Sequence, residues 1–273
     1  MKKIILVALM FFAAANALQA QLKESLKKVI ELKMPKMNKD SMPGTRGASV
    51  VWHPVQKKYY AAFAGNAGFP LAVFDAAGKR ISEDDLLAMK DTRGLWYNPA
   101  SKGISGNGYN ETGWFTYVLN KKGIPDSAKT IFEGLYQPDV QSVGAFYPDR
   151  KEVMFLYNGI VSLYALADGS TSATVQIKWG IKKTEVKPEV EITETPPDYN
   201  NTTVIYTGIK NAELGFLNKE KNKIELYDFM TGFLTTQLAL PKDAVTEGAF
   251  NFAYTNGIYW LFNIADRKWV GYK

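Results

Sequence analysis

The sequence predicts an all-β fold built from five similar units, and three observations carry that prediction. An aromatic residue, a short turn and a run of strand-forming residues recur at Trp52, Tyr97, Phe146, Tyr206 and Phe252. The intervals are 45, 49, 60 and 46 residues, a period that marks a repeat architecture. Tyr, Phe and Trp make up 13% of the chain, which favours strands over helices. Hairpin signals, Asn158-Gly159 and Asp168-Gly169, separate alternating apolar runs.

The first twenty residues read as a leader rather than as fold. Lys2 and Lys3 precede an apolar stretch from Ile4 to Ala15, and small residues run on to Ala20. That pattern is a secretory signal peptide, too short to span a bilayer, with cleavage expected after Ala20. The chain has no cysteine. A lipoprotein anchor, disulfides and cysteine-held zinc are therefore not expected. The expected location is the periplasm or the cell exterior. Residues 21–273 form a single domain in this reading.

The first four repeats are each expected to supply four strands. Repeat one has Ser49 to His53, the turn Pro54 to Lys57, Lys58 to Ala64, Leu71 to Asp75, and a fourth element from Lys79 that yields to a short helix over Glu83 to Met89. Repeat two runs from Leu95 to Phe132. Repeat three, Val143 to Trp179, is the clearest. An insertion over 180–202, with Lys187-Pro188 and Pro196-Pro197, explains the interval of 60. It reads as an extended loop with a strand candidate at Val190 to Thr193. Repeat four runs from Thr203 to Leu240. Repeat five supplies only three strands, ending at Tyr272. The missing one is found at the other end of the chain, where Val29 to Met34, closed by Pro35-Lys36, echoes Leu238-Ala239-Leu240-Pro241-Lys242. The chain therefore resembles a five-bladed β-propeller whose last blade is closed by the N-terminal strand. The aromatic anchors are expected to pack between blades.

The resemblance implies that loops joining fourth strands to first strands share a face with those joining second strands to third. This face is expected to surround the channel mouth and to bind the ligand. It collects an Asp at the head of each fourth-to-first loop (Asp40, Asp91, Asp139, Asp198, Asp243). The candidate ligand-binding residues are Arg46, Arg93, Asn66, Asn107, Asn158, Asn218, Asn263 and Glu247. Such residues suit a carbohydrate, a peptide or a protein partner. Asn and Asp also serve turns in their own right, and an arginine beside an Asp also serves as a structural ion pair.

The functional expectation is a secreted, non-catalytic binding propeller and a monomer. The alternatives are a carbohydrate-active enzyme using loop carboxylates and a structural or adhesive envelope component. Glycoside chemistry needs two carboxyl groups about 5 to 9.5 Å apart, and the predicted first strands carry none. His53 is the only histidine and precedes Pro54, so it reads as a turn residue. No metal-ligand spacing and no cofactor motif is present. The formal charge is +6, and the lysines read as scattered through turns, so nucleic acid is not an expected partner.

Overall fold

The computed structural model describes residues 25–36, 46–185 and 194–273. The leader, Asp40 and the strand candidate at Val190 to Thr193 lie outside the described residues. Strand β1 spans Lys28–Lys33. Blade one contains β2 (Arg46–His53), β3 (Lys58–Ala64) and β4 (Leu71–Asp75). Blade two contains β5 (Thr92–Asn98), β6 (Gly103–Gly108), β7 (Trp114–Leu119) and β8 (Pro125–Phe132). Blade three contains β9 (Ala145–Tyr147), β10 (Glu152–Tyr157), β11 (Ile160–Ala165) and β12 (Thr171–Gln176). Beyond β13 (Lys178–Lys182), blade four contains β14 (Ile205–Tyr206), β15 (Leu214–Asn218), β16 (Lys223–Tyr227) and β17 (Phe233–Ala239). Blade five contains β18 (Phe252–Thr255), β19 (Ile258–Asn263) and β20 (Lys268–Tyr272), with β1 as its outer strand. The chain is a five-bladed β-propeller.

Closure follows the expected plan. β1 pairs antiparallel with β20, Leu32 opposite Trp269 and Glu31 opposite Val270. Leu32 is fully buried. Pairing the two ends of the chain in one sheet removes an unfinished edge and makes the last blade depend on the first strand.

The core is divided into five clusters, one at each blade junction. Leu32, Trp260 and Trp269 of blade five meet Tyr59, Phe63 and Phe74 of blade one. Tyr60 and Val73 meet Ile104, Phe115 and Tyr117 at the next junction. Trp96 and Trp114 meet Val153 and Phe155. Met154 and Leu163 meet Phe216 and Tyr227. Leu217 and Leu226 meet Phe252, Tyr259 and Leu261. Each recurring aromatic anchor falls in a different cluster: Trp52, Tyr97, Phe146, Tyr206 and Phe252, one per junction. The repeat is thus set by the need for one large side chain to seal each blade against its predecessor.

Three local expectations are corrected. Glu83 to Met89 is not a helix, and blade one has no regular fourth strand. Irregular backbone covers the β4 edge instead: Leu71 N–H donates to Leu86 O (2.9 Å), Ile81 N–H to Val73 O (2.8 Å) and Val73 N–H to Ser82 Oγ (3.0 Å). Ser82 binds the sheet rather than capping a helix. The expected strand from Ala173 to Trp179 breaks at Ile177 into β12 and β13. The latter crosses to blade four and runs parallel to β17, so the insertion begins as an added outer strand.

First-to-second turns in the first three blades share one solution. Each is Pro-x-x-Lys, and Lys57, Lys102 and Lys151 adopt left-handed φ values of 51°, 52° and 54°. The proline sets the first turn dihedral and the lysine takes the reversing position that starts the next strand.

Candidate functional site

The inner strands β2, β5, β9, β14 and β18 each pair on one side only. Their free edges converge on the propeller axis around a cavity of about 430 Å³. All five blades line it. The lining runs from Ser49 within β2, and from Val143 and Thr203 just ahead of β9 and β14, to Pro99, Pro148 and Asn256 in first-to-second turns. The cavity therefore extends along the inner strands from their starts to the first-turn face. Tyrosine hydroxyls are its only ionisable lining groups: Tyr97, Tyr206 and Tyr254, with no Asp, Glu, His, Lys or Arg among the described residues. Burial raises the Tyr206 hydroxyl to about 12, aided by Tyr147, Asp149 and Glu213. It is a neutral donor near pH 7.

Because side chains of an inner strand point to the neighbouring blades, the axis sees mostly backbone. Every second N–H and C=O of such an edge faces inward. Trp52 N–H, on the free edge of β2, donates to Thr255 Oγ1 at 3.0 Å. Among the described residues, Leu95 to Tyr97, Val204 to Tyr206 and Phe252 to Tyr254 have no backbone amide donating outside their own sheets.

The turns around the mouth carry charge. Lys57, Lys102, Lys151 and Lys210 are exposed, one in the first turn of each of blades one to four. Asp149 and Glu213 are the acids in those turns. Arg150 is committed to Glu152 at 2.7 Å. These four lysines, far apart in the sequence, share one end of the ring because first-to-second turns all lie there.

At the loop face, side chains tie the starts of the inner strands together. Asn251 Oδ1 accepts from Gly47 N–H at 2.6 Å, joining blades five and one. Asn107 Oδ1 accepts from Gly144 N–H at 3.0 Å, while its Nδ2 donates to Gln137 Oε1 (2.7 Å) and Ser142 O (2.9 Å). Asn200 Nδ2 donates to Phe250 O at 2.7 Å and to Glu247 O at 3.0 Å. The approach is close enough to require glycine: a Cβ on Gly94 would lie 2.5 Å from both Asn107 Oδ1 and Gly144 N.

The residues selected from sequence are distributed over this face in distinct settings. Arg93 is buried, ion-paired with Asp91 at 2.5 Å, bonded to Gln141 Oε1 at 2.9 Å and stacked on Tyr109 and Phe250. Asn107 and Asn218 are fully buried. Asn218 Nδ2 donates to Asp198 at 2.9 Å. Asn66, Asn158 and Asn263 hold turns: Asn66 Oδ1 accepts from Gly68 N–H, Asn158 sits at φ 46°, and Asn263 Oδ1 accepts from Asp266 N–H. Arg46 is exposed at the start of β2, and Glu247 is half-buried. None of these eight residues is among those that line the axial cavity. Sequence reasoning missed the axial cavity because its lining is backbone, which no residue type announces. Its mouth was legible in the repeated aromatic-to-turn junctions.

Two polar centres are structural. His53 is buried, its Nε2–H donating to Lys102 O (3.0 Å) across the first blade junction and its Nδ1 accepting from Gln56 N–H (3.3 Å). Burial lowers its pKa, against the opposing pull of the Lys102 bond. Glu225 is buried in blade four and takes bonds from Tyr199, Tyr227, Lys223 and Gln237 at 2.5 to 3.0 Å. Burial works to raise its pKa, but those donors outweigh it and the carboxyl is held below its ordinary value.

Fold and site together define a five-bladed β-propeller with a neutral, backbone-lined axial cavity. No protein-family model matches the chain, and no curated protein matches it in sequence. In fold it is similar to the crystal structure of glutaminyl cyclase from Myxococcus xanthus, with a TM-score of 0.55 and 8% identity. The match covers 91% of this chain and 96% of that chain. At that identity the likeness carries architecture alone. No helix among the described residues is long and apolar enough to cross a membrane.

Proposed function

We propose that this propeller is an exported binding protein that takes an uncharged ligand, or an uncharged part of one, into its axial cavity through the first-turn face. The observation that carries the reading is the lining: five strand edges and three tyrosines, with no carboxylate, imidazole or amine among the described residues placed to move a proton. A cavity of this size suits a small ligand or a short chain segment. The similar solved structure is named as an enzyme, but its chemistry does not transfer at 8% identity. Export rests on the leader pattern of residues 1–20, and N-terminal sequencing of the purified protein checks it.

The test is occlusion. Thr255 lines the cavity and is half-buried. Thr255→Trp fills the mouth, and circular dichroism confirms the fold. Binding from a glycan, peptide and small-molecule panel is expected to be lost in this variant and kept in Thr255→Ser. Binding that survives occlusion overturns the site. Glutaminyl cyclase activity or release of reducing sugar, lost on occlusion, overturns the non-catalytic assignment.

A further inference from the structure

We infer that the ligand is an extended peptide segment whose buried part is uncharged and whose flanking residues are acidic. This rests on the cavity reading above and names the class of ligand for that site. Two independent observations carry it: the strand edges in the cavity and the lysine ring outside it.

Inside, the inner strands offer the groups that a peptide backbone pairs with. Leu95 to Tyr97, Val204 to Tyr206 and Phe252 to Tyr254 are edges of their sheets, and their amides have no protein partner beyond them among the described residues. An extended chain laid along one such edge gains alternating N–H···O=C bonds, the mode by which peptides add to exposed sheet edges. A small apolar molecule leaves those groups unpaired, at about 1–3 kcal/mol for each one desolvated. With no charged side chain in the lining among the described residues, a charged residue in the buried part has no counter-ion there, and desolvation disfavours it.

Outside, Lys57, Lys102, Lys151 and Lys210 stand in the first turns of four successive blades. Pro99 and Pro148, in two of the same turns, line the cavity. A chain leaving the mouth passes this ring. Acidic residues just beyond the buried segment meet these four lysines, which outnumber Asp149 and Glu213 in the same turns. Such rim pairs act mainly on association rate and specificity, and salt screens them.

The experiment uses the full chain and a pool of acetyl-capped tetrapeptides of Gly, Ala, Val, Thr and Tyr. The pool is followed by three Asp, by three Lys, or by an amide cap. Fluorescence anisotropy reads the affinity. The Asp-tailed pool is expected to bind about tenfold more tightly than the amide-capped pool at about 50 mM salt, and the advantage to vanish by about 0.5 M. Reversing the ring (Lys57→Glu, Lys102→Glu, Lys151→Glu and Lys210→Glu) is expected to move the preference to the Lys-tailed pool. N-methylation of alternate amides in the tetrapeptide is expected to abolish binding, which a side-chain-only contact does not predict.

Equal binding of all three tails, or tolerance of N-methylation, overturns the proposal. So does an oligothymidylate that binds the ring while no peptide does. If a non-peptide ligand is blocked by Thr255→Trp and no peptide binds, the cavity reading stands and the peptide inference falls. If peptide binds Thr255→Trp as it binds the native chain, the cavity reading itself falls.

Discussion

Trp52 N–H in the first blade donates to Thr255 Oγ1 in the last, 3.0 Å away and 203 residues apart in the chain. This bond closes the ring at the cavity mouth, as β1 closes it at the periphery. Thr255→Val keeps the side-chain shape and removes the acceptor. The expected loss is about 1 kcal/mol, the worth of one partly buried hydrogen bond, read as a lower midpoint in urea. An unchanged midpoint would show that water replaces the hydroxyl without cost.

The loop-face asparagines are expected to separate by burial. Asn107→Ala strands Gly144 N–H and Ser142 O in a buried junction, so about 2–5 kcal/mol should be lost. Asn158→Gly changes an exposed turn residue already at φ 46°, where glycine is at ease, and stability should move by less than about 0.5 kcal/mol. Comparable losses in both variants would contradict the distinction.

His53 predicts a specific acid sensitivity. Its folded pKa lies below the ordinary 6.5, so the unfolded chain takes up the proton first as pH falls. The stability it contributes is complete above about 6.5 and is lost as pH falls through that value toward the folded pKa. The melting temperature should decline over this window, and His53→Gln should flatten the decline. A decline of equal size in the variant would assign it elsewhere.

Glu225 acts at lower pH with the same sign. Its folded pKa is held below the ordinary 4.5, so its contribution is present above that value and lost as pH falls toward the folded pKa. Glu225→Leu leaves Tyr199, Tyr227 and Lys223 without their acceptor in a buried site. A loss of about 3–5 kcal/mol is expected in denaturant unfolding. A stable Glu225→Leu variant would mean the hydroxyls find other partners.

The closing strand is tested by a single side chain. Leu32→Ala, at full burial between the last and first blades, should cost about 2–5 kcal/mol. Val29→Ala, 51% exposed on the same strand, should cost little. A loss at Val29 equal to that at Leu32 would show that pairing, rather than packing, holds the strand.

Much of the fold is written locally. The aromatic at each strand end, the Pro-x-x-Lys turns and the echo of Leu238 to Lys242 in the N-terminal strand are patterns that repeat because each blade solves the same packing problem. They determine the repeat number, the closure and the role of the five anchors. Local patterns fail where tertiary contacts compete with them: Ser82 satisfies a sheet edge in place of a helix, and Ile177 marks a strand that leaves one blade for the next. The site depended on tertiary structure almost entirely. Residue types on the loop face suggested binding, yet Asn107, Asn218 and Arg93 are buried in contacts that join loops and blades. The cavity is made of backbone edges that any residue supplies, and the lysine ring forms only when turns 45 to 60 residues apart are brought to one end of the axis. Side-chain periodicity is readable along a chain; the convergence of five strand edges and four charges on one axis is a property of the closed ring.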